Sequence, residues 1–474
     1  MLVVSVNIFN LLVNLFIGLV VAAFLGPESF GRFAVALGAG SLLHALIFGW
    51  LRLAAARFYS EAARTSQPDL RASLDAALWL LGGLTLGLGV LGALAAPSLG
   101  LDGDLVFWAL AFAACNGAFE YQLALLRARF ADRAYALLIF AKNIFSLLLT
   151  AGVAWITQSA GLTLAGTAIS LAMATLLLMS QARDEYARGH AASPAVLRKA
   201  LAYALPLSAS LILFALIPLA NRALGAQFSD FAEAGQLALA QDLGLKLVLT
   251  IGIAMDQLLF QLAVREHESS GRDGGQAQVA FNMTLMAGLL LPTMVGTWLV
   301  LPSFEALIIP QEFTGDFARA LTLLLPGLGC YGLMTFALTP AFQIAQRTWP
   351  VIAAAGAACL TDAAMLTLLP PTWDVDMLAL AQSIALVSGF FVLLILSPLA
   401  KPTWPKRRDM AGLALATAAM TICVWPLREI NPGLVALGAQ ALIGGAIYAF
   451  MLVALDVGGL RKALLLRKKD QTPQ

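Results

Sequence analysis

Lys246 lies within a long apolar run, Asp242 stands one helical turn before it, and Asp256 follows Asp242 by fourteen residues. Residues four apart share a helix face and can pair. Fourteen residues is close to four full turns, so all three charges fall on one side. Gln241, Gln257 and Gln261 interrupt the same run. If the run crosses a bilayer, a charge at its middle costs roughly 2.5–3.5 kcal/mol on insertion scales and must face a bundle interior or a watery cavity. Two readings follow: a polar cavity wall, or a self-neutralised pair that locks helices together.

Other polar residues sit in apolar runs in the same way. Lys142-Asn143 follows Arg133 by about two and a half turns. A compact cation there suits a phosphate, or it snorkels toward headgroups. Asn7, Asn10 and Asn14 form one stripe of a helix. Amides left unpaired in hydrocarbon are costly, so the stripe faces protein or water. Glu120 with Asn116, and Arg222, complete the candidate cavity set. Arg52 and Arg57 flank a helix end, as a headgroup-binding rim or a solvated face.

The elements that must carry these residues are membrane helices. The chain has 474 residues, 60% hydrophobic and 12% charged, where soluble domains are nearer half apolar and a quarter charged. Apolar runs of about 20 residues, the length that crosses a bilayer core, recur from end to end. No stretch is left for a folded soluble domain, and the net charge of +2 argues against a nucleic-acid partner. The expected fold is all-α and polytopic, with about fourteen segments: 3–25, 33–53, 74–96, 105–125, 136–157, 162–181, 201–224, 235–264, 279–301, 320–342, 349–369, 377–398, 410–427 and 434–455. The first reads as a retained helix, since it lacks a basic start and a small-residue cleavage site. Cys115, Cys330, Cys359 and Cys423 lie in apolar runs as free, packed thiols.

Charge alternates between the loops. One set carries 23 Lys and Arg, from Arg52, Arg57, Arg64 and Arg71 through to the tail, and the other carries Arg32, Arg222, Arg319 and Arg428. Basic residues favour cytoplasmic loops, so both termini are expected in the cytoplasm. The opposite loops are short and acidic.

A repeat ties the segments together. Phe30-Gly31-Arg32-Phe33-Ala34-Val35-Ala36 aligns with Ala234-Gly235-Gln236-Leu237-Ala238-Leu239-Ala240, 204 residues later. Both copies stand at the junction of the first two segments of a set of six, and both sets run the same way. The expected organisation is two parallel six-helix lobes, 1–200 and 201–400, around a central cavity, with a two-helix extension and basic tail at 401–474. Such repeats place substrate at their interface.

Fourteen helices, the early Leu25-Gly26-Pro27-Glu28-Ser29-Phe30-Gly31 junction and the following Trp50-Leu51-Arg52 together resemble bacterial polysaccharide flippases. These belong to the multidrug, oligosaccharidyl-lipid and polysaccharide exporter superfamily. The resemblance implies a transporter, not an enzyme. It would use alternating access to carry a lipid-linked oligosaccharide, on a polyprenyl diphosphate, from the inner to the outer leaflet of the bacterial cytoplasmic membrane. It further implies a role in making surface polysaccharide (O-antigen, exopolysaccharide or capsule), polysaccharide assembly proteins as partners, and no cofactor. Family members often end segment 7 with an acidic-basic pair; here the residues are Asn221-Arg222.

Two further readings stand beside this one. An ion-coupled multidrug exporter of the same superfamily would use Asp242 and Asp256 as cation sites. A membrane glycosyltransferase or polymerase on the same lipid carrier would need a substantial outer loop or an acid-base cluster, and no outer loop exceeds about 20 residues. No Walker-type loop is present. Gly327-Leu328-Gly329-Cys330-Tyr331-Gly332 fits a nucleotide-binding pattern, but no strand precedes it, so it reads as helix packing. Gly83 and Gly87 also read as packing positions. Asn282-Met283-Thr284 fits a glycosylation acceptor only formally. Pro206, Pro218, Pro292 and Pro326 are expected to break or bend their helices.

Overall fold

The computed structural model describes residues 2–59, 67, 69–183, 191–345, 347–368, 373–428, 430 and 432–461. For residues 2, 4, 206–207, 253–254, 256–258, 260 and 261–276 it describes the backbone alone. The described residues form helices and contain no strand. In chain order the helices are α1 (Leu2–Ile47), α2 (Gly49–Phe58), α3 (Asp69–Ala95), α4 (Gly103–Ala128), α5 (Asp132–Phe145), α6 (Gly152–Thr157), α7 (Ala160–Leu177) and α8 (Pro194–Phe228). They continue with α9 (Phe231–Ile308), α10 (Asp316–Leu333), α11 (Thr339–Ile344), α12 (Trp349–Leu368), α13 (Val375–Leu396), α14 (Arg407–Arg428) and α15 (Leu434–Ala454).

Twelve helices among the described residues are long and apolar enough to cross a membrane. The first, Ser5–Ile47, has 43 residues, about twice the ~20 a bilayer core requires, and holds expected segments 1 and 2. Thirteen of the fourteen expected segments fall in these twelve helices. Segment 8 lies in α9 ahead of residue 277, where many side chains are outside the described residues. The chain is a multi-pass, all-α membrane protein.

Two boundaries differ from expectation. Segments 1 and 2 are joined by a kink rather than a loop. Gly26 takes φ 68° and ψ 170°, a conformation only glycine adopts readily, and Pro27 starts the second half, where its missing N–H is harmless. Likewise α9 runs through the basic stretch expected to separate segments 8 and 9. The prolines break nothing. α8 contains residues 206 and 218 without interruption, α9 passes Pro292, and α10 passes Pro326.

The chain divides into two compact units, Met1–Leu239 with Pro371–Leu378, and Ala240–Pro370 with Ala379–Gln474. Residues 201–239, which the repeat assigns to the second set of six, therefore pack within the first unit. In that unit α4 is the central helix, with α1, α2, α3 and α7 around it. Its Ala and Gly positions admit these neighbours closely, and α2, α3, α4 and the start of α8 enclose a core that includes Phe48, Tyr59 and Leu74. Gly89, rather than Gly83 or Gly87, makes the close contact of α3. A Cβ there would lie 3.4 Å from Phe107 and Leu110, whereas Gly83 and Gly87 face open space.

In the second unit a Cβ at Gly327 would lie 2.6 Å from the Cα of Ser383, so the glycine-rich stretch of α10 packs on α13 as expected. Asn282 is buried and donates to the Leu259 carbonyl at 2.7 Å. This excludes it as a glycosylation acceptor. The last two helices pack on each other, and Tyr448 of α15 donates to the Gly288 carbonyl of α9 at 2.7 Å.

Candidate functional site: a lysine held by amides

The asparagine stripe of α1 and the lysine of α5 meet in the first unit. Lys142 Nζ donates to Oδ1 of Asn14 at 2.5 Å, Asn143 at 3.0 Å and Asn10 at 3.2 Å. An ammonium has three protons, and these are three acceptors. All three are amide oxygens, which orient the cation. Asn14 Nδ2 in turn donates to Asn10 Oδ1 at 3.3 Å.

One turn of α1 before Asn10, Asn7 accepts from the Tyr135 hydroxyl at 2.8 Å. Tyr135 precedes Lys142 by seven residues, two turns of α5, so the seam joins one stripe of each helix. Tyr135 escaped the sequence reading; its place on the Lys142 stripe was the available signal. Asn143 is only 4% exposed, and its Nδ2 is buried without a hydrogen-bond partner. Directly after Asn143, residues Ser146–Ala151 form a π turn, a local widening frequent at functional sites. Beyond the seam, Ser146 and Ser170 are hydrogen bonded at 3.1 Å, tying the turn to α7.

A second polar group lies on α2 and α4. Arg52 approaches Glu120 at 3.8 Å, with both side chains partly exposed. Glu120 and Arg127 are near enough to Tyr135 to act on it electrostatically, so this pair borders the asparagine seam. Arg57 lies over the Tyr203 ring at 5.9 Å, an exposed contact between α2 and α8. Of the candidate residues, Asn7, Asn10, Asn14, Lys142 and Asn143 thus form one cluster, and Arg52 and Glu120 form a pair.

The remaining candidates stand elsewhere. Arg222 is 8% exposed on α8. Asp242 and Lys246 are half-buried on α9 in the second unit, and the side chain of Asp256 is outside the described residues. Beside them Gln241 donates to Gln382 of α13 at 2.5 Å in a buried amide pair. Gln241 was in the sequence reading, whereas Gln382, 141 residues away, was not.

Neither a protein-family model nor a curated protein sequence matches the chain. Solved structures do. The chain is similar to the lipid II flippase MurJ in an inward closed conformation, with TM-score 0.74, 14% identity, and 96% of this chain and 98% of that one covered. It is also similar to an inward-facing multidrug resistance MATE transporter of the MOP superfamily, with TM-score 0.64, 16% identity, and 82% and 94% covered. A MATE transporter from Vibrio cholerae, VcmN, aligns with TM-score 0.54, 14% identity, and 84% and 95% covered. At these identities the likeness speaks for the fold, and it extends over nearly the whole of MurJ. The chain has the fold shared by the lipid II flippase and the multidrug transporters of the MOP superfamily.

Proposed function

We propose that this protein is a flippase that moves a lipid-linked oligosaccharide from the inner to the outer leaflet of a bacterial cytoplasmic membrane. The observation that carries the reading is the Lys142 cluster, a lysine oriented by three amide oxygens within a fold that matches a lipid II flippase along 96% of the chain. The diphosphate of a lipid carrier needs a compact, persistent positive partner during transfer.

In this reading the repeats work as two lobes by alternating access, with both termini in the cytoplasm, as the 23 basic loop residues favour. The product feeds surface polysaccharide assembly and its partner proteins. Asp242, Lys246 and Asp256 provide a second polar wall. Arg52 and Arg57 form the headgroup rim.

The test is complementation. The gene is supplied to strains that each lack one defined flippase for a surface polysaccharide, and restored polysaccharide is scored. Restoration in one strain, lost on Lys142→Met with normal membrane expression, supports the proposal. Absence of restoration across the panel despite good expression overturns it. The multidrug reading, favoured by the MATE likeness, predicts instead a raised tolerance to cationic drugs that depends on Asp242.

A further inference from the structure

A separate cavity of about 400 Å³ opens between α3, α4 and α7 in the first unit. Its floor is polar. The Arg71 Nε donates to both carboxylate oxygens of Asp75 at 2.8 Å, Arg71 Nη1 donates to the Ala182 carbonyl at 3.0 Å, and the Tyr121 hydroxyl donates to Asp75 at 2.8 Å. Tyr121 is 3% exposed and Arg71 has a side chain only 13% exposed, while 37% of the Asp75 side chain remains open. Arg183 lines the same cavity, so among the described residues two guanidiniums stand beside one carboxylate.

Its mouth is apolar. Trp79 is 66% exposed, Leu176 64% and Met179 42%, all on or beside membrane-crossing helices and therefore open to lipid. Arg71 stands near the start of α3, and Trp79 lies eight residues deeper, about 12 Å along the helix. A polar end at headgroup depth joined to an apolar slot at acyl depth has the amphipathy of a phospholipid.

We propose that this cavity is a binding site for a membrane phospholipid whose phosphate carries an ammonium headgroup, of the phosphoethanolamine type. Arg183 takes the phosphate, because guanidinium matches phosphate oxygens, and the nearly buried Arg71 adds its positive charge behind it. The open side of Asp75 takes the ammonium. One acyl chain lies along Trp79 and Leu176. A purely anionic lipid satisfies the arginines but sets a negative headgroup beside the carboxylate, and a quaternary choline cannot donate a hydrogen bond to Asp75. The site is distinct from the Lys142 cluster and does not depend on the transported substrate.

The experiment uses the full chain, purified in mild detergent and exposed to equal amounts of phosphatidylethanolamine, phosphatidylglycerol and phosphatidylcholine, with retained lipid counted by native mass spectrometry. The expected result is a preference of about fivefold or more for phosphatidylethanolamine, the scale of one charge-assisted hydrogen bond. Asp75→Asn should abolish that preference while phosphatidylglycerol is still retained. Arg183→Ala and Trp79→Ala should each lower retention of all three, the first through the shared phosphate and the second through the acyl chain. Arg183 and Trp79 are peripheral to the core, so their variants report even if Asp75→Asn fails to fold. Equal retention of the three lipids by the wild type, or retention unchanged in every variant that folds, overturns the proposal.

Discussion

Gly31 and Gly235 are packed backbone to backbone, and the main chain one turn before each occupies the space a side chain on the other would need. A Cβ on Gly31 would strike the Phe231 carbonyl, a Cβ on Gly235 would strike the Pro27 carbonyl, and each built Cβ lies 3.0 Å from the other glycine's nitrogen. Residues 27 and 231, like 31 and 235, are 204 apart, the period of the sequence repeat. Such reciprocity is what a two-fold relation between equivalent segments demands. Arg32 flanks the contact, bound to Glu28 at 3.2 Å and Asp102 at 3.0 Å, with its guanidinium 4.4 Å from the Phe231 ring centroid.

This contact gives a prediction for both glycines. Gly31→Ala and Gly235→Ala each place a methyl against a main-chain carbonyl, which cannot rotate aside. A destabilisation of about 1–3 kcal/mol is expected, the usual scale of overpacking. Thermal unfolding of the purified protein should register it for both variants alike. Wild-type melting of both would mean that the two junctions are not packed together.

Lys142 gives the sharpest functional prediction. Lys142→Met keeps most of the length of the side chain and removes the charge, and the proposed flipping should fall by roughly tenfold or more, the worth of one charge-assisted contact. Membrane levels should stay normal, because Asn10 and Asn14 retain each other and Asn7 retains Tyr135 as a partner. Lys142→Arg should not restore activity, since a planar fork does not fit a cage of three converging amides. Lipid transfer in reconstituted vesicles reads this directly, and full activity of Lys142→Met removes the cluster from the mechanism.

Asp242 and Lys246 test the second polar wall. Asp242→Ala and Lys246→Ala are expected to reduce transport with protein levels intact. Quantitative membrane blots beside the transport assay separate the two readings of these charges. If both substitutions merely abolish expression, the charges lock the fold and do not serve the substrate.

The buried amide pair of α9 and α13 is a structural control. Gln382→Leu removes the 2.5 Å partner of Gln241 and should cost about 0.5–2 kcal/mol, as interhelical hydrogen bonds in membranes do. The proposed flipping should be unaffected at permissive temperature. A transport defect without a fall in melting temperature would move this pair into the functional set.

The sequence alone determined what depends on local composition. Apolar runs of bilayer length can satisfy their backbone in lipid only as helices, so the all-α membrane fold was legible. The glycines of α10 were rightly assigned to packing. Gly83 and Gly87 were not, because a one-dimensional pattern cannot say which side of α3 meets α4. Helix ends were also misplaced where Gly26-Pro27 kinks rather than interrupts and where α9 runs on.

Only the tertiary structure decided which polar residues meet. Asn10 and Lys142 are 132 residues apart, Asn7 and Tyr135 128. Neither pairing leaves a trace in local periodicity, since the stripe on each helix shows that a polar partner is needed without naming it. The apolar surroundings raise the cost of an unpaired amide, and the packing of α1 on α5 resolves that cost by bringing the asparagines to the lysine and the tyrosine.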